Sequence, residues 1–128
     1  MSDFTHSDPI GERTTSVYTA TVQDEDGVAI PGTSLSTLTL TLYDQGSRQI
    51  INGRSAQSVL GTASPLNGGQ VNGSGAFTMI FDPEDNAFVG TGDTEVHVAL
   101  FRYTYDSATK AGQQRVFFTV VNEPKVTA

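Results

Sequence analysis

The chain has 128 residues, 37% of them hydrophobic, with 13 glycines, 5 prolines, no cysteine and a formal net charge of -7. That length suits one domain with a real core, and the lack of cysteine excludes disulfides, thiolate metal sites and thiol nucleophiles. The negative balance argues against a general nucleic-acid or anionic-lipid surface, which needs Lys and Arg to neutralise phosphates.

Residues 1–16 are polar, mix charges with Pro9 and Gly11, and show no hydrophobic periodicity. They contain no apolar secretory core, and no run in the chain approaches a membrane span, so the expectation is a cytosolic product unless exported by another route. By composition this stretch is a disordered tail; if ordered, it should lie against something as a docking arm. Residues 17–23 alternate, with Tyr18, Ala20 and Val22 as the inward set. A turn at 24–27 follows, then an extended piece over 28–32 in which Pro31 is tolerable only at an edge.

Residues 36–44, STLTLTLYD, carry the clearest signal. Leu38, Leu40 and Leu42 alternate with Thr37, Thr39 and Thr41, the period of a strand with one buried and one wet face. Residues 44–47 read as a turn and 48–52 as a short strand around Ile50 and Ile51. Residues 54–60 depart from strand chemistry: Ser55 suits a helix N-cap, with Ala56, Val59 and Leu60 on one side of a short crossover helix. A Gly-, Ser- and Asn-rich loop over 61–75 holds one short extended piece at 70–72. Residues 76–81 place Phe77, Met79 and Phe81 on one face. Residues 94–105 are apolar on both faces and should form a central strand, pairing as a hairpin with 114–121, whose inward set is Val116, Phe118 and Val120. Alternation this frequent predicts an all-β, antiparallel β-sandwich of one domain over 17–122, with an arm at 1–16 and a tail at 123–128.

Several residues invite a chemical reading, and each has a plainer one. Glu95 and His97 share a strand face and are close enough for general acid–base work, yet no nucleophile is placed beside them, so a structural or interface histidine is the better reading. His6 is too remote to join a zinc site. Asp24-Glu25-Asp26 and Asp82 to Asn86 offer oxygen donors for calcium, but neither follows a calcium-loop order and turns favour Asp and Asn anyway. No phosphate-binding loop is present. The Asn72-Gly73-Ser74 sequon has no secretory context, and Lys110 and Lys125 are badly placed for a strand-borne crosslink. Tyr43, Phe88, Tyr103 and Tyr105 form a conceivable sugar platform, though core packing accounts for them more simply. The residues predict neither enzyme nor cofactor, and no metal.

The runs LTLTLYDQGSRQIINGRSAQSVLG, GAFTMIFDPEDNAFVG and TEVHVALFRYTYDSATKAGQQRVFFTVVNEP resemble a family of small virion proteins of tailed bacteriophages, over roughly residues 17–124. The resemblance implies an immunoglobulin-like sandwich and a capsid decoration or cement protein that binds the major capsid protein or its neighbours. The implied location is the virion, assembled in host cytoplasm, with no nucleic-acid or membrane partner and with possible self-association. A head–tail connector subunit and a host- or glycan-binding module are the alternatives. The implied contacts are Phe4, His6, Ile10 and Arg13 on the arm, Arg54, Leu66, Val71 and Phe88 on loops, and Lys125 on the tail.

Overall fold

The computed structural model describes residues 4–6 and 8–121. Its strands are β1 (Phe4–Thr5), β2 (Ile10–Gly11), β3 (Ser16–Thr21), β4 (Leu35–Asp44), β5 (Gln57–Ser58), β6 (Gly69–Val71), β7 (Ala76–Phe81), β8 (Thr94–Tyr105) and β9 (Lys110–Val121). The larger sheet runs β1-β9-β8-β4-β5, with β2 also on β9; the smaller runs β3-β7-β6. The two face each other as an all-β sandwich. Pairing is antiparallel except where β1 and β2 join β9 in parallel.

Alternation does the work that the sequence assigns to it. Leu38, Leu40 and Leu42 are buried, as are Phe77, Met79 and Phe81 from the facing sheet and Val116, Phe118 and Val120 from β9. Aromatic rings join the layers: Tyr18 of the small sheet stacks on Phe101 of the large one at 5.8 Å, and Phe77 meets Phe101 edge-on at 5.1 Å. Such pairs add to area burial when rings are offset or edge-on. Strand β8 is central, between β9 and β4, as its two apolar faces require.

Two local expectations are corrected, and the arm is placed. Residues 54–60 form no helix: Ala56 is left-handed, at φ 48°, and donates its amide to Thr41 Oγ1. The segment instead runs back along β4, where β5 pairs with Thr39 and Leu40 and Val59 N–H donates to Leu38 O. Strand β4 offers a row of edge backbone groups there, and extended pairing satisfies them where a two-turn helix would not. Residues 48–52 form a single bridge, Tyr43 to Ile50, rather than a strand, with Arg48 and Asn52 left-handed on either side of it. The described part of the arm lies along β9 of its own sandwich, Phe4 opposite Val116 and Ile10 opposite Val120.

Glycine is required where backbones cross. A Cβ on Gly69 would stand 2.3 Å from Val59 O, whereas one on Gly73 would meet nothing within 4 Å. Gly69→Ala should therefore cost about 1–3 kcal/mol by overpacking, and Gly73→Ala should change little, as read from denaturant unfolding midpoints.

Candidate functional site

Charged groups at the ends of the sandwich are engaged internally. His97 is fully buried at the β8–β9 end, its Nε2 2.8 Å from Glu95 Oε1 and its ring edge-on to Phe118. Glu95 also accepts from the amides of Val89 and Gly90, which fastens the 88–93 loop over the core. Asp44, across the strand pair from His97, accepts from the Ser47 amide and hydroxyl. Ligand atoms of Asp44, Glu95 and His97 lie within 4.8 Å of one another, yet both carboxylates already terminate loop hydrogen bonds. The unsatisfied polar atom here, His97 Nδ1, faces no donor or acceptor among the described residues. The pair thus joins as the sequence suggests, and its geometry is that of a loop clasp.

The second expected acidic cluster is likewise committed. Asp85 is fully buried on the 3-10 turn Pro83–Asn86 and receives the Arg54 guanidinium, with Nη2 2.9 Å from Oδ2. Glu84 pairs with Arg13 at 3.1 Å. In the 24–26 loop, Asp24 caps the amides of Asp26 and Val28, while Glu25 accepts from Tyr105 and Lys110. The Lys110 hydrogen bond, foremost, holds the Glu25 carboxyl below its ordinary range. Ligand atoms of Asp24, Glu25 and Asp26 lie within 4.8 Å of one another, with Asp24 and Glu25 engaged in these contacts.

The outward face of the large sheet is different. The side chains that alternate away from the core on β4, β8 and β9 include no carboxylate at all, in a chain of net charge -7. Register places Ile50, Tyr43, Val98 and Phe117 in one row across this face. Val98 is 1% exposed although it is not part of the inter-sheet core. The next row is Thr41, Leu100 and Arg115, and the one after it is Thr39, Arg102 and Gln113. The Arg115 guanidinium lies 5.5 Å from the Phe117 ring centroid. An apolar, aromatic strip with arginine beside it and acidic residues excluded has the composition of a protein contact surface. Beyond Arg102 the face sinks into an open depression of about 310 Å³, floored by Thr37, Thr104, Ala111 and Gly112.

The expected contact residues scatter. Val71 and Arg54 are buried, which removes both from any surface set: Val71 belongs to the core and Arg54 to the ion pair. Phe88 and Ile10 are half-buried against the core. Phe4 and Leu66 are exposed, Arg13 is exposed and paired with Glu84, and His6 bonds to Asp8 O at 3.0 Å. Lys125 lies outside the described residues. The expected sugar platform is dispersed: Tyr103 and Tyr105 are buried, and the Tyr103 hydroxyl donates to Gln23 O at 2.8 Å. Only Tyr43 reaches the outward face. The second apolar face of residues 94–105 is the sequence signal for its row.

Compared with known proteins, the chain matches no family model, no curated protein and no solved structure.

Burial is the leading cause that pushes the Tyr18, Tyr103 and Tyr105 hydroxyls up from the ordinary phenol range. A folded-state value above the unfolded one means that the unfolded chain releases its proton first as pH rises, so the stabilisation is complete below about pH 10 and is lost above it. Unfolding free energy should fall through the alkaline range. Tyr18→Phe, which keeps the ring and loses the 2.6 Å bond to Gln114, should flatten that fall in denaturant titrations at successive pH values.

Proposed function

We propose that this chain is a non-catalytic structural module of a tailed-phage virion, a capsid decoration protein that works by binding its large-sheet face to the shell. The observation that carries the proposal is that face: Ile50, Tyr43 and Phe117 beside the buried Val98, on outward strand positions that carry no carboxylate, in an otherwise acidic chain. Interface cores are enriched in aromatic residues and arginine and depleted of acidic ones. A decoration protein needs only such a surface, repeated over a lattice so that modest contacts add through multivalency.

The strand order supports the resemblance to immunoglobulin-like virion proteins. Numbering β3 as strand B and continuing along the chain, the small sheet is B-E-D and the large sheet places G beside F, F beside C and C beside a short C′. That is the immunoglobulin arrangement, with the first strand moved onto G. The buried clasp of His97 and Glu95 favours a scaffold role for the groups best suited to acid–base chemistry.

Copy number in purified virions, by quantitative mass spectrometry against the major capsid and portal proteins, tests the proposal. A number comparable with the capsid protein is expected. A number matching the portal ring would replace decoration by a neck role, and absence from the particle would overturn the virion reading.

A further inference from the structure

The same face also specifies what it binds. From its charge and relief we infer that the outward face of β4, β8 and β9 takes a carboxylate-bearing aliphatic protein segment, with an acidic side chain on Arg102 and an apolar one in the depression beside it. The inference rests on the reading of this chain as a binding module and adds the chemistry of its partner.

Three observations carry it. First, the face is the exception to the chain's charge: its outward strand positions carry Arg102 and Arg115 and no Asp or Glu. An acidic partner meets attraction here and repulsion over most of the remaining surface, which favours this orientation during encounter. Second, Arg102 is exposed, and no ion pair among the described residues engages it, while other carboxylate–cation pairs of the domain are made at the sandwich ends. Arginine presents a planar fork of donors that matches a carboxylate in two-point contact. Third, the depression next to Arg102 lies where the outward position of β9 opposite Thr104 is the small Ala111, with the Gly112 backbone beside it, since a Cβ there would point at the Tyr103 ring on the other face. The hydroxyls of Thr37 and Thr104 bond each other at 2.6 Å, which leaves their methyl groups as lining. A group that enters there meets methyls and backbone with a guanidinium at the rim. Leu100 and the Val98 row continue the apolar surface on the other side of Arg102.

The test is a nitrogen-15 NMR titration of the full chain with a short capped peptide of alternating glutamate and leucine, and with its lysine–leucine counterpart. The glutamate peptide should move the amides of Arg102, Ala111, Gly112 and Gln113, and its affinity should fall several-fold from low to physiological salt because the contact is surface-exposed. The lysine peptide should leave those amides in place. Arg102→Glu should abolish the shifts with the rest of the spectrum intact; Arg102→Gln, which adds no charge, should weaken them and carries the test if the first variant misfolds. Shifts that map elsewhere, an equal response to the lysine peptide, or binding that survives Arg102→Glu would overturn the inference. So would dilution-dependent shifts of this face without peptide, which would assign it to a second copy of the chain. A failed titration with the protein abundant in virions overturns this inference alone. Peptide binding by a protein absent from virions overturns the virion reading alone.

Discussion

The ion pair between Arg54 and Asp85 ties the two sheets together at one end, and much of the surrounding chain is arranged to satisfy it. Arg54 follows the turn after β4 in the large sheet, and Asp85 sits just after β7 in the small one. A buried carboxylate is tolerated only when its hydrogen-bonding capacity is filled. Here the guanidinium, Asn52 Nδ2 and the Asp82 amide all donate to it. The remaining Arg54 donors reach Gln57 and the Asn67 carbonyl, so the loop from 54 to 67 is held from within. Loss of either partner would strand a charge in the interior, at about 3–5 kcal/mol. The same inward pull explains why 54–60 cannot wind into a helix: its first side chain is anchored across the sandwich while Val59 packs in the core.

A division of labour follows from where the charges go. The carboxylates of Asp85, Glu95, Asp44 and Asp24 fasten turns and loops, through capping, ion pairs and backbone amides. They are gathered at the ends and edges of the sandwich, where backbone groups would otherwise lack partners. The outward face of the large sheet is left with threonine, aromatic and aliphatic side chains and arginine. An antiparallel sheet with one solvated face would ordinarily show polar residues there throughout. The departure at Val96, Val98, Leu100 and Phe117 is the feature on which the proposed binding role rests.

The fold was legible in the sequence because its period was simple. Leu38 to Leu42, Phe77 to Phe81 and Val116 to Val120 each show strict alternation, and each falls on the core face. Sequence and structure part where tertiary partners decide local structure. Nothing near Arg54 in sequence discloses Asp85, 31 residues away, so a polar segment with an N-cap signal read as a helix. Val71 stood in a Gly-rich loop and looked exposed, yet β7 pairs with it and it is fully buried. The outward row is half legible. Apolar residues on both sides of 94–105 were visible, but their row with Ile50, Tyr43 and Phe117 exists only once three strands and a turn are in register.

The central claim is that this outward row is the working surface and the polar ends are scaffold. Phe117→Ser tests it most directly, because Phe117 lies outside the inter-sheet core. The measurement is co-sedimentation of the purified variant with phage heads that lack this protein, alongside its denaturant unfolding curve. The account predicts a cooperative unfolding transition close to that of the parent chain together with loss of head binding. Undiminished binding by the folded variant would contradict it.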